Sequence, residues 1–269
     1  MSLIEKEMPF LEHLEELRWH LIRSVAAIAV FSIAAFFAKD FVVGQLILGP
    51  SKTNFLTYRL FCQLSQLTCI DKLPFVIQSR TMTGQFTMHM AASLTVGLIA
   101  SFPYIFWEIW RFVKPALYLT EKQVTRGVTA LVSLLFMIGI LFGYYLIAPL
   151  SINFLANYQL DPSIVNEFDI TSYVSTLVMM VLSSGIMFQL PMVVYFLSKI
   201  GILHPSFMRS YRRQAIVIIL FVSAIITPPD VVSQMLIASP IYFLYEISIN
   251  ISASVWKKHE KALAKIEAK

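Results

Sequence analysis

Charge is what this chain has least of. Asp, Glu, Lys and Arg make up only 14% of its 269 residues, against 57% hydrophobic, whereas soluble domains carry about a quarter charged residues. Mean hydropathy is +0.71. These values exclude an ordinary soluble domain and indicate a polytopic membrane protein. Cysteine is nearly missing as well. Cys62 and Cys69 are the only two, so no cysteine quartet for zinc can form. Catalytic constellations are absent: there is no G-x-x-x-x-G-K-[ST] phosphate loop, no H-E-x-x-H and no G-x-S-x-G elbow. The five histidines are scattered over different segments, and His89, on an apolar helix, reads as a packing residue before a ligand. No metal, cofactor or enzymatic activity is expected. No basic stripe marks a solvated face, so nucleic acid is not an expected partner; membrane lipid is.

What is abundant is long apolar sequence. Six segments can be drawn, at residues 21–38, 86–106, 127–149, 173–197, 215–227 and 234–255. Crossing the hydrocarbon takes about 20 residues at about 1.5 Å rise each. The first four qualify. The fifth reaches only about 20 Å, and the T-P-P-D that follows it is too short for anything but a tight hairpin into the sixth. The expected fold is all-α: one integral-membrane domain over residues 1–269, with six transmembrane helices of which the fifth and sixth are short. The first apolar run follows an acidic, leucine-bearing helix and has no small-residue cleavage site, so it reads as a retained span.

Placing the N-terminus in the cytosol puts 16 of the 21 basic residues on the inside; only Lys39, Lys52, Arg59, Lys72 and Arg80 lie outside. This asymmetry fits the positive-inside rule and makes both termini cytosolic. Residues 10–22 form a cytosolic amphipathic helix, 39–85 an outer loop and 256–269 a cytosolic tail. In the N-terminal helix Phe10, Leu14, Leu17 and Leu21 recur at helical spacing on one face, with Glu12, His13, Glu16 and His20 opposite. That acidic side is either a solvated face or a site for a cationic partner.

Residues 102–126, F-P-Y-I-F-W-E-I-W-R-F-V-K-P-A-L-Y-L-T-E-K-Q-V-T-R, link two apolar segments and are basic, aromatic and punctuated by proline. Pro103 and Pro115 fix φ and remove backbone donors, so no long straight helix should run through both. The stretch reads as an interfacial cytosolic loop. In the outer loop, Cys62 and Cys69 form either a disulfide or two free thiols. Gly139 and Gly143, in G-x-x-x-G spacing, permit close helix approach. Ser183, Ser184, Gly185, Gln189 and Pro191 make a polar, kink-prone patch at mid-membrane. Gln189 there is either an interhelical hydrogen-bonding group or part of a polar cavity. Glu246 is the one carboxylate well inside an apolar run, which makes it a functional candidate.

H-L-E-E-L-R at 13–18, the F-P-Y-I-F-W-E-I-W-R-F-V-K-P-A-L-Y-L-T-E loop, T-P-P-D-V-V-S-Q at 227–234 and L-Y-E-I in the sixth span occur in an order that resembles the TatC subunit of the twin-arginine protein translocase. The resemblance covers residues 9 to about 255. It implies a receptor in the bacterial inner membrane for twin-arginine signal peptides of folded cargo. Glu16 and Glu121 would contact the signal and Phe112 would belong to the same patch, with Glu15, Arg18, Phe102, Pro103, Pro115 and Tyr118 in the surrounding motifs. Thr227, Asp230 and Gln234 would dock a single-span TatA/TatB-type partner, and Pro50 would matter for assembly of a homo-oligomeric receptor complex. One departure is Gln189, where the family often carries a glutamate: an amide cannot titrate, which leaves no proton relay at that position. The runner-up function is a secondary transporter or channel with Gln189 and Glu246 lining a solute path. That reading predicts internal repeats between halves, and none is visible.

Overall fold

The computed structural model describes residues 10–64, 73–113, 127–161, 163–226 and 231–267. Helices dominate. In chain order they are α1 (Phe10–Phe37), a single turn α2 (Lys39–Phe41) running into a π-helical segment at Val42–Ile47, α3 (Leu56–Leu64), α4 (Gly84–Val113), and α5 (Val128–Phe142). A second π-helical segment, Gly143–Ile147, joins α5 to α6 (Ala148–Asn157). Then come α7 (Ile170–Met187), α8 (Leu190–Lys199), α9 (Pro205–Ser210), α10 (Arg212–Ile226) and α11 (Val231–Glu267). Two short strands, β1 (Val76–Gln78) and β2 (Glu167–Asp169), pair in parallel with Ile77 opposite Phe168. The chain is mostly helical as expected, and among the described residues this short ladder ties 76–78 to 167–169.

Among the described residues, five stretches are long and apolar enough to cross a membrane: Leu14–Phe37, Gly84–Val113, Val128–Asn157, Ile170–Lys199 and Gln234–Lys257. The fifth apolar segment of the sequence is the 15-residue α10, about 22 Å long, and falls short of that criterion. The sixth was expected to be short and is not: α11 runs for 37 residues. The reason is in its tail, where the Ala-, Glu- and Lys-rich residues 257–267 are strong helix formers that extend the span. The N-terminal helix and the first span are likewise one element, because no breaker lies between them. Residues 102–113, expected as loop, are the last three turns of α4, which passes through Pro103 without ending. Membrane helices tolerate such prolines when neighbouring groups satisfy the freed backbone.

The chain forms two compact units. The first comprises Met1–Gly44 and His89–Leu134, the second Gln45–Met88 and Leu135–Lys269. Within the first, α1 and α4 approach closely where Gly97 meets Ser32: a Cβ on Gly97 would lie 2.7 Å from the Ser32 Cα. His89 stacks on Phe36 with ring centroids 4.3 Å apart. The leucine stripe of α1 points outward, with Leu14, Leu17 and Leu21 all exposed, while His20 and Ser24 are buried. His20 and Ser24 turn inward because they find partners there, the Glu108 carboxylate and the His20 carbonyl.

Within the second unit, α5 lies on α7 through glycines. A Cβ on Gly139 would stand 2.8 Å from the Ser184 carbonyl oxygen, and one on Gly143 would stand 3.0 Å from the Val181 Cα. The chain bends at Phe188–Gln189 between α7 and α8, with Pro191 in the first turn of α8. Helix α8 packs on α11 through Val194 and Ile249, and the buried Ser198 and Ser252 hydroxyls meet at 2.8 Å.

Candidate functional site

The most unusual group in the first unit is Glu108, a carboxylate only 1% exposed. A buried charge must be paired and hydrogen-bonded or it destabilises the fold by several kcal/mol. Glu108 is surrounded accordingly. Its Oε2 bonds His20 Nδ1, and because an ionised carboxylate only accepts, the imidazole donates. Tyr104 Oη donates to Oε1 at 3.0 Å. The Arg23 guanidinium stands 3.7 Å from Oε2. Helical spacing prepares each side: Tyr104, Glu108 and Phe112 recur every four residues on α4, as do Glu16, His20 and Ser24 on α1.

His20 is the centre of this cluster. Its Nε2 stands 3.9 Å from Glu16 Oε1, and the Phe112 ring meets the imidazole edge-on with centroids 6.0 Å apart. Glu16 itself is half-buried. Two residues expected in the signal patch, Glu16 and Phe112, are thus brought to one imidazole. Phe102 is half-buried one turn or more away, and Pro103, Glu15 and Arg18 are exposed. Arg111 lies over the face of Trp107 at 5.6 Å, a cation–π contact at the same end of α4. Glu121, Pro115 and Tyr118 lie outside the described residues.

His20 and Glu108 were not among the expected site residues. The spacing that places His20 on the polar side of its helix was legible; Glu108 lay in a stretch read as loop, and the meeting of the two was not legible.

In the second unit, Glu246 is not a free intramembrane charge: Arg212 Nη2 donates to its Oε2 at 2.8 Å and Tyr242 Oη to its Oε1 at 3.2 Å. Gln234 Nε2 donates to the Leu220 carbonyl at 3.0 Å, closing α11 onto α10. Thr227 and Asp230 lie outside the described residues. Gln189 is half-buried at the α7–α8 bend.

In the second unit, tyrosines latch the chain around residues 46–50 to the segment 144–173. Tyr58 is fully buried and its hydroxyl reaches the carbonyls of Pro50 and Pro149, each at 3.0 Å; burial pushes this phenol well above its ordinary value. Tyr173 and Tyr144 donate to the Ile47 and Leu46 carbonyls at 2.9 Å. Pro50, itself buried, is one point at which this clasp holds the chain, through the Tyr58 hydroxyl. Cys62 is disulfide-bonded; Cys69 lies outside the described residues. No group of three or more metal-ligating side chains occurs among the described residues.

Residues 12–240 match the family described as Sec-independent protein translocase protein (TatC). The chain is 39% identical over 261 residues to the TatC of Blattabacterium sp. subsp. Periplaneta americana, covering 94% of this chain and 98% of that one. It is 31% identical to TatCy of Bacillus subtilis over 258 residues, 96% and 94% of the two chains. Its fold is similar to the crystal structure of the twin arginine translocase receptor TatC, with a TM-score of 0.72 and 32% identity over 90% of this chain and 99% of that one. The chain belongs to the TatC family of Sec-independent protein translocase proteins.

Proposed function

We propose that this chain is the receptor subunit of a twin-arginine translocase, binding the paired arginines of a signal peptide at its cytosolic face. The observation that carries the reading is the gathering of Glu16 and Phe112 about His20. In an extended peptide, consecutive side chains point to opposite sides, so two adjacent arginines need carboxylates from different elements. Glu16 on α1 supplies one; Glu121, beyond the end of α4, supplies the other. Each pair can be bidentate, which lysine cannot match. An exposed ion pair contributes only about 0–1 kcal/mol, so apolar contacts must add to the two pairs. The exposed Leu14, Leu17 and Trp19 on α1 are suited to that.

In this reading the protein is a multi-pass component of the cytoplasmic membrane with six spans, α10 being the short fifth, and both termini cytosolic. A single-span TatA/TatB-type helix docks at the α10–α11 hairpin near Thr227, Asp230 and Gln234. The outward apolar side chains of α10, Val217, Phe221 and Ile225, offer such a helix a surface. Pro50 supports a homo-oligomeric receptor complex. The test is site-specific crosslinking of a twin-arginine precursor in native membranes. Glu16→Ala and Glu121→Ala should each abolish crosslinking while leaving insertion intact; undiminished crosslinking in both would sink the reading.

A further inference from the structure

We propose that residues 199–213, braced by α11, form a platform that binds the headgroups of anionic phospholipids, a role separate from the receptor site above. Two candidate spans, Ile170–Lys199 and Gln234–Lys257, end together here, with the Ser198 and Ser252 hydroxyls 2.8 Å apart. The chain between α8 and α10 therefore lies where hydrocarbon gives way to headgroups. Three contacts from α11 hold it there. Trp256 Nε1 donates to the Leu203 carbonyl at 2.9 Å, Tyr245 Oη donates to the Met208 carbonyl at 2.7 Å, and Glu246 accepts from Arg212 at 2.8 Å. Gly201, at a φ of +80° that other residues rarely adopt, turns the chain out of α8. Pro205 and Met208 of α9 are buried, Met208 against Val194 and Ile249.

What this platform leaves outside is amphipathic. Ile202 is 70% exposed, and Phe207 and Tyr211 are exposed too, their rings packed with centroids 4.4 Å apart. Arg209 and Arg213 are exposed on the same short stretch. Water gives no return for displaying an isoleucine and two aromatic rings, whereas the boundary between acyl chains and headgroups suits such rings mixed with guanidinium groups.

The sign of the headgroup follows from charge. Residues 199–213 carry four Lys or Arg and no Asp or Glu. Taken with Glu246 and residues 256–269, the count is nine Lys or Arg against three Glu. The surplus is positive whatever pairs form locally. A guanidinium grips phosphate through two parallel N–H···O bonds and keeps its charge throughout the physiological range. A zwitterionic headgroup brings its own ammonium along with the phosphate, so a positive surplus selects lipid of net negative charge.

The probe is phosphatidylglycerol carrying a photoactivatable group in its headgroup, mixed at rising fractions into phosphatidylcholine nanodiscs that hold the full-length protein. Phosphatidylcholine carrying the same group is the control. Peptide mapping by mass spectrometry should find residues 199–213 labelled by phosphatidylglycerol at a lower lipid fraction than by phosphatidylcholine. Arg209 and Arg213 make none of the three contacts that hold the platform, so replacing them tests the surface and spares the fold. Each basic residue near an anionic surface contributes about fivefold in binding, so Arg209→Gln with Arg213→Gln should cut the preference for phosphatidylglycerol about 25-fold. Arg213→Gln alone, with a loss of about fivefold, serves if the double variant does not fold. Arg209→Lys with Arg213→Lys keeps the charge and should keep most of the preference. Equal labelling of the native protein by the two lipids, or an undiminished preference in the glutamine variants, overturns the proposal. Displacement of the lipid label by soluble glycerol phosphate also overturns it, because the platform would then be a site for free anions. Displacement by a soluble oligoglutamate peptide does so too, and would assign the surface to an acidic protein segment.

Discussion

A carboxylate buried to 1% exposure in a helix of a membrane protein is tolerated only because three donors converge on it: His20, Tyr104 and Arg23 around Glu108. Removing one partner leaves the charge uncompensated, the costly arrangement for a buried pair. At the start of α7 a carboxylate works under milder conditions. Asp169 caps α7, accepting from the Thr171 backbone N–H at 2.7 Å and from the Arg80 backbone N–H at 3.0 Å. The Thr171 hydrogen bonds, and then that of Arg80, hold its carboxyl below the ordinary aspartate value of 3.8. A folded-state value below the unfolded one means the unfolded chain takes up the proton first. The stabilisation is therefore complete above about pH 4 and is lost as pH falls through the depressed folded value. Thermal melting of the purified protein should show Asp169→Asn destabilised at neutral pH and the gap to the native protein closing in acid; a gap that stays constant or widens in acid would contradict this. Asp169 stands four residues before the apolar segment at 173–197, and its capping role was not read from the sequence. Its bond to Arg80 was not legible either, because 89 residues separate the two.

At the scale of elements, glycine decides how near two helices come. The G-x-x-x-G of α5 was readable as a packing face, and Gly139 and Gly143 do lie against α7, whose Gly185 in turn receives Ile140 and Phe136. The approach of Gly97 to Ser32 carries no comparable motif and emerged only from the crossing of α1 and α4. A side chain at Gly139 meets backbone, the Ser184 carbonyl oxygen at 2.8 Å, and backbone in a helix cannot step aside cheaply. Gly139→Val should cost about 1–3 kcal/mol by overpacking and lower the melting temperature. Gly127→Ala, where nothing lies within 4 Å of the added carbon, should leave it near the native value. Equal melting of the two variants would show that the α5–α7 contact is not tight.

For the whole molecule, the decisive quantity is the distribution of positive charge. With 16 of 21 basic residues assigned to one side, the topology proposed here puts Thr53 outside and Lys257 inside. A membrane-impermeant maleimide applied to intact cells should label Thr53→Cys and not Lys257→Cys, and opening the cells should expose the second. The reverse pattern would invert the orientation, and labelling of both in intact cells would place them on one side and remove a span.

The sequence by itself determined the class of protein, the position of the apolar helices and the motifs of the family, because these follow from local composition, helical spacing and short ordered patterns. It did not determine where helices end. Residues 102–113 read as loop and are helix, and α11 extends through the tail, since proline and lysine signals are weak against a membrane helix with satisfied neighbours. Only the tertiary structure decided which faces meet. The inward turn of His20 and Ser24 on α1, the pairing of His20 with Glu108 across 88 positions and the compensation of Glu246 by Arg212 all depend on long-range packing, in which a carboxylate withdrawn from water is met by partners from distant parts of the chain.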